Sequence, residues 1–163
     1  MSKIPFIVLA TLILAWPLAA APNEEKEIQG LYRRGLAGDK AAVTHCIAQL
    51  ERVLQSEPTN QLARVYLGSA YTLRSRDLGF GPKKLQAMRQ GLALMDQAVE
   101  AAPDEPKLRL ARALTTSALP AIFARGTQSR KDFEQLGQMA RRAPARFEAD
   151  DLQTIEAKMA KQK

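Results

Sequence analysis

Leu67-Gly68-Ser69-Ala70-Tyr71 places a compact Gly-Ser-Ala step between two large side chains, inside a stretch whose apolar residues recur at helical spacing. Small residues of this kind let two helices approach closely. Working outward, Pro58, Pro103 and Pro144 each close a run rich in Leu, Val, Ala or Met, because a proline excludes helical geometry for the residue before it. A unit repeated in this way cannot bury its apolar face alone and must stack on its neighbours. The expected fold is all-α: a helical-hairpin solenoid of about three repeats with a capping helix at the C-terminus.

The elements follow from caps and periodicity. Asn23 is placed to cap a first helix carrying Ile28, Leu31, Tyr32 and Leu36, and Gly38-Asp39 ends it and caps a second from about Lys40 to Ser56. Asn60 caps a third, to about Ser75. The run Asp77-Leu78-Gly79-Phe80-Gly81-Pro82 breaks the pattern, since two glycines and a proline cannot continue a stable helix. A fourth helix is expected over Lys83 to Ala102, with Leu85, Met88, Leu92, Met95, Ala98 and Val99 inward. Asp104-Glu105-Pro106 opens a fifth, through Leu119. Ser129 caps a sixth, to about Ala143, and Phe147 to Ala160 reads as a terminal helix with polar faces suited to solvent.

The first residues carry an address. Met1-Ser2-Lys3 is a short basic start, Ile4 to Trp16 is almost wholly apolar, and Pro17-Leu18-Ala19-Ala20-Ala21 supplies the small residues at which a signal peptidase cuts. Residues 1–20 read as a secretory signal peptide and 21–163 as the mature domain, expected in a bacterial periplasm. The competing reading is a retained anchor, because Ile4 to Ala21 approaches the roughly 18 apolar residues that span a bilayer. Cleavage leaves no stable membrane span.

Without Lys3 the mature chain carries 23 Lys and Arg against 17 Asp and Glu, and the excess lies in Gln61 to Lys131, with twelve basic and five acidic residues. Such an imbalance favours anionic partners. Nucleic acid is not expected, because aromatic stacking residues are sparse and export removes the chain from most of it. Cys46 is the only cysteine, so packing alone must hold the fold. Enzymatic patterns are missing. His45 and Cys46 adjoin, but successive helical residues diverge by about 100°, so adjacency does not pair a nucleophile with a base. No zinc-ligand spacing, glycine-rich phosphate loop or serine elbow occurs. No catalytic residue, metal or cofactor is expected.

Leu67, Gly68 and Tyr71 resemble the Leu-Gly-x-x-Tyr step of the tetratricopeptide repeat family, whose units are helix-turn-helix pairs of about 34 residues. In the same register Ala98 and Pro103 take the family's small residue and closing proline, with Gly91 and Met95 at the second helix's other packing positions. Val53 with Pro58, and Met139 with Pro144, repeat the closing spacing, and Leu50 and Leu136 take the neighbouring large apolar position. The third unit departs from the pattern, with Arg112, Ala113 and Thr116 at the Leu, Gly and Tyr positions. The resemblance spans nearly all of the mature chain. It implies a groove lined by the first helix of each hairpin, with Val65, Ser69, Thr72, Leu110, Leu114 and Ser117 as lining residues.

Two further features bear on function. The prolines are 45 and then 41 residues apart, longer than the family period, and the extra residues fall in the turns inside hairpins. One turn holds Arg76, Asp77 and Phe80, the other Ile122, Phe123 and Arg125. Either they extend a binding surface, or the apolar residues fold back over the core while Arg76 and Asp77 pair locally. Arg64 and Arg109 stand at the same offset after Pro58 and Pro103, so stacking aligns them, and Arg112 lies one turn along. This ladder suits a carboxylate or phosphate, or else pairs with Asp96, Glu100 or Asp104. The expected function is a binding or scaffolding module for a peptide or partner protein, acidic in character. The alternative is a carrier of a small anionic ligand serving a transporter.

Overall fold

The structure, a computed structural model, describes residues 22–161. The expected signal peptide, residues 1–20, lies outside the described residues. Those residues form seven α-helices and two short 3-10 turns, with no strand among them: α1 Pro22–Leu36, α2 Lys40–Ser56, α3 Gln61–Ser75, α4 Pro82–Ala101, α5 Pro106–Ser117, α6 Gly126–Arg142 and α7 Ala149–Ala160. The fold is all-α, as expected. The 3-10 turns, Ala121–Phe123 and Pro144–Arg146, precede α6 and α7.

Local chemistry sets most boundaries. The Asp39 side chain accepts from the Ala42 amide at 2.9 Å, and Asn60 does the same for Ala63 at 2.9 Å, each satisfying a donor that a helix start leaves free. Gly38 takes φ 106° in the turn before Asp39, a conformation that a side chain would strain. Pro82 and Pro106 occupy first-turn positions, where a missing N–H costs nothing. Four boundaries differ from expectation by two residues or more. The α1 helix begins at Pro22, so Asn23 lies inside it; α5 stops at Ser117, short of Leu119; α6 starts at Gly126, ahead of Ser129; and α7 starts at Ala149, after Phe147. Ser129 instead faces inward and donates to the Ala113 carbonyl at 3.1 Å, a tertiary bond that its cap-like sequence context does not reveal.

Consecutive helices pair, α1 with α2, α3 with α4 and α5 with α6, while α7 lies against α6. The third helix is the centre: it also packs on α1, α2 and α5, and every residue from Val65 to Leu73 is buried. Gly68 and Gly91 explain how α4 comes so close. A Cβ on Gly68 would lie 2.6 Å from the Gly91 carbonyl oxygen, and one on Gly91 2.5 Å from that of Gly68, so the two backbones meet where neither residue has a side chain. The main core draws on α1 to α5, and a smaller one joins Leu110 and Ala113 to Phe133, Leu136 and Ile155.

Candidate functional site

The face formed by α1, α3 and α5 is filled rather than grooved. Tyr32 of α1 reaches across to α5, donating to the Ala111 carbonyl at 3.0 Å and lying 3.1 Å from Thr115 Oγ1, which in turn reaches Ser69 Oγ at 3.0 Å. The Tyr66 ring stacks obliquely on Tyr32 with centroids 5.0 Å apart. Burial pushes both phenols far above their usual range. Ion pairs close the rim: Lys107 Nζ lies 2.7 Å from Glu25, and Arg33 lies 3.5–3.8 Å from Glu148, Asp150 and Asp151. Burial first, and then Glu148, raises the Asp151 carboxyl above the usual carboxylate range. The cavity left between Tyr32, Tyr66, Lys107, Leu110 and Asp151 is ≈ 40 Å³, room for about one water. Val65, Ser69 and Thr72, expected to line a groove, are instead core residues with 0–1% of their surface free.

The arginines expected to form a ladder have internal partners. Arg64 donates to the Gln61 side chain at 2.7 Å and to the Pro58 carbonyl, and Arg109 makes the equivalent bond to the Pro103 carbonyl at 2.9 Å. The shared offset thus serves a shared structural task, clamping the chain where each proline breaks the helix. Arg109 also reaches Asp132 at 2.9 Å, and Arg112 grips both oxygens of the same carboxylate at 2.8 and 2.9 Å. Asp96 accepts from Arg112 at 3.1 Å and from Arg125 at 2.9 Å. Of the expected partners Asp96 takes part, whereas Asp132, the central acceptor, was not foreseen. A signal did exist for it: Ser129, Asp132, Phe133, Leu136 and Gly137 share one helical stripe of α6, and a carboxylate on an inward stripe requires a cation. Arg76 donates to the Gly35 and Leu36 carbonyls, capping the end of α1.

Two other regions remain open. The first is the edge where the lengthened turns lie. Among the described residues, large apolar side chains are exposed at three positions only: Phe80 at 99%, Ile122 at 85% and Leu85 at 42%. Leu85, expected inward, turns outward in the first turn of α4, beside the break that sets the helix phase. Phe123 behaves differently from its neighbour, half-buried over a ≈ 90 Å³ cavity with Leu73, Met88, Thr115 and Leu119. A hollow of ≈ 380 Å³ is lined by Arg74, Leu78, Lys83, Gln86, Ala87 and Gln90, of which Leu78 and Lys83 flank Phe80 in the chain.

The second is a groove of ≈ 390 Å³ between α6 and α7, with Gly137, Ala140, Leu152, Ile155 and Met159 along its apolar floor and Arg141 and Glu156 beside it. The terminal helix is therefore not a plain solvent-facing cap. The Met159 side chain of α7 packs on Gly137 of α6, where an added Cβ would lie 2.6 Å from the Met159 sulfur. Sequence reading missed this groove because α6 and α7 each look amphipathic, and the gap between two amphipathic helices depends on their crossing. No protein-family model matches the chain, and neither a curated protein nor a solved structure matches it.

Proposed function

We infer that the chain is a binding or scaffolding module of the tetratricopeptide type rather than an enzyme, exported by its N-terminal signal peptide to the bacterial periplasm or envelope. Its receptor site is the groove between α6 and α7, which holds an apolar segment of a partner protein. The observation that carries this is the groove itself: ≈ 390 Å³ with an apolar floor, the size and character of a site that takes a few side chains of a ligand. Arg141 at its side has no carboxylate of the described residues within 4.0 Å, so it suits an acidic group on that segment. The alternative, a small-anion carrier on Arg64, Arg109 and Arg112, asks for guanidinium groups already bonded to Pro58, Pro103, Asp96 and Asp132.

The test is recovery of partners from envelope extract by residues 21–163 and by an Ala140→Trp variant that fills the groove. One protein enriched by the unmodified chain and lost with the variant supports the reading. Identical recovery by both sinks it.

A further inference from the structure

The edge carrying the lengthened turns shares no residue with the α6–α7 groove and needs its own explanation. We propose that this edge docks on an anionic lipid bilayer, with Phe80 and Ile122 entering the headgroup boundary and Arg74, Lys83 and Lys84 holding lipid phosphates.

Placement comes first. All three exposed large apolar side chains of the described residues, Phe80, Leu85 and Ile122, lie in the two lengthened turns or in the helical turn directly after one of them. The turns are neighbours, because Arg76 and Lys84 from one side and Pro120 and Phe123 from the other line the same ≈ 90 Å³ cavity. Scattered exposed apolar residues need no explanation, whereas confinement of all of them to one edge does.

Their form favours lipid over protein. Phe80 and Ile122 project almost free of the fold, at 99% and 85% exposure, and neither lines the cavity or the hollow of this edge. Protein interfaces concentrate their energy in anchors seated in well-packed pockets. A bilayer requires no complementary shape, only apolar tips that reach the acyl boundary and positive charge beside them.

The charge is present and available. Among the described residues no carboxylate lies within 4.0 Å of Arg74, Lys83 or Lys84, and the one acidic residue of the first turn, Asp77, is held by Lys40 at 3.3 Å. Arg74 is braced over the Tyr71 ring, 4.9 Å from its centroid, and lines the ≈ 380 Å³ hollow together with Lys83, Gln86 and Gln90. Two cations and two amides around a hollow beside an apolar tip suit a lipid phosphate and its glycerol. No helix of the described residues is long and apolar enough to cross a membrane, so the docking is peripheral.

Trp16 is the only tryptophan in the sequence, so residues 21–163 contain none and a Phe80→Trp variant reports from the edge alone. The assay adds vesicles of phosphatidylcholine mixed with phosphatidylglycerol, or of phosphatidylcholine alone, and follows tryptophan emission and cosedimentation. The expected result is a blue shift and sedimentation with the anionic vesicles, weakened by salt. Phe80→Ser with Ile122→Ser lowers partitioning by about tenfold or more, and Lys83→Ala with Lys84→Ala by about fivefold per residue, with the melting temperature unchanged in each. Emission that stays unshifted with anionic vesicles overturns the proposal and leaves the edge to an acidic protein. Equal sedimentation of the Phe80→Ser, Ile122→Ser variant overturns it as well. Neither readout involves the groove, so the two readings fail independently.

Discussion

Replacing the buried Asp132 by alanine is expected to destabilise the fold more than a substitution at an exposed side chain does. The carboxylate is fully buried and accepts four bonds, from Arg109 Nη1, Arg112 Nε and Nη2, and Gln128 Nε2, at 2.8–3.3 Å. Removing it strands two guanidinium groups whose side chains are only 11% and 8% exposed. Arg112 keeps Asp96 at 3.1 Å, but Arg109 keeps only the Pro103 carbonyl, and its Nε already has no partner. Breaking a buried pair from one side costs about 3–5 kcal/mol, against a total stability of about 5–15 kcal/mol for a domain. At roughly 3–4 °C per kcal/mol for a chain of this size, the melting temperature followed by far-ultraviolet circular dichroism falls by about 10–20 °C. An apolar replacement of the whole cluster, Asp132→Leu with Arg109→Leu and Arg112→Met, strands no charge and recovers most of that loss. A fall of less than about 3 °C for Asp132→Ala, or a triple variant melting no higher than the single one, would refute the reasoning.

Three other outcomes follow from local geometry. Gly91→Ala would put a Cβ 2.3 Å from Thr72 Oγ1 and 2.5 Å from the Gly68 carbonyl, costing about 1–3 kcal/mol through overpacking; Gly30→Ala, with nothing within 4 Å, stabilises by about 0.5–1 kcal/mol, and denaturant melts giving both the same sign refute the close crossing of α3 and α4. The Asp39 carboxyl is held below its usual range by the Ala42 amide and then by Arg34. Its contribution is therefore full above the ordinary aspartate value of about 3.9 and lost as pH falls through the lower folded-state value, so the melting difference between the native chain and Asp39→Asn should vanish in strong acid, and a difference persisting there contradicts it. Burial pushes the Cys46 thiol up to about 12, so alkylation at neutral pH should proceed only through unfolding and accelerate sharply in denaturant; fast labelling of the folded chain would show that the α2 packing is open.

Where the sequence was legible, the information was local. Asp39 and Asn60 cap as their positions predict, prolines 58, 103 and 144 lie beyond helix ends, and Val43, Ile47, Leu50 and Val53 share a buried stripe. The surroundings of the candidate site residues were not legible, because they depend on contacts far apart in the chain. Arg64 and Arg109 are alike by offset, yet only Arg109 meets a carboxylate, supplied by α6. Tyr32 looks like one more apolar position of α1, and its hydroxyl finds α5 only after three hairpins have assembled. Phe80, Ile122 and Phe123 are chemically similar residues in similar turns. The first two project and the third is half-buried, although Ile122 and Phe123 are adjacent in one 3-10 turn, Ala121–Phe123.

The bond from Tyr32 to α5 has a consequence for how the chain comes apart. Stacks that touch only their nearest neighbours lose stability in increments, and an end unit frays while the rest survives. Here the first hairpin is tied past its neighbour to the third, at Ala111 and Thr115, with Lys107 and Glu25 joined beside it. Melting the first hairpin would uncover the buried face of α3 and take Tyr32 from Ala111 and Thr115 and Glu25 from Lys107, so loss at one end propagates to the other. The molecule then behaves as one cooperative unit, without a gradient of fraying ends. Deleting α1 would be expected to cost the whole fold, because no internal boundary remains at which unfolding could stop.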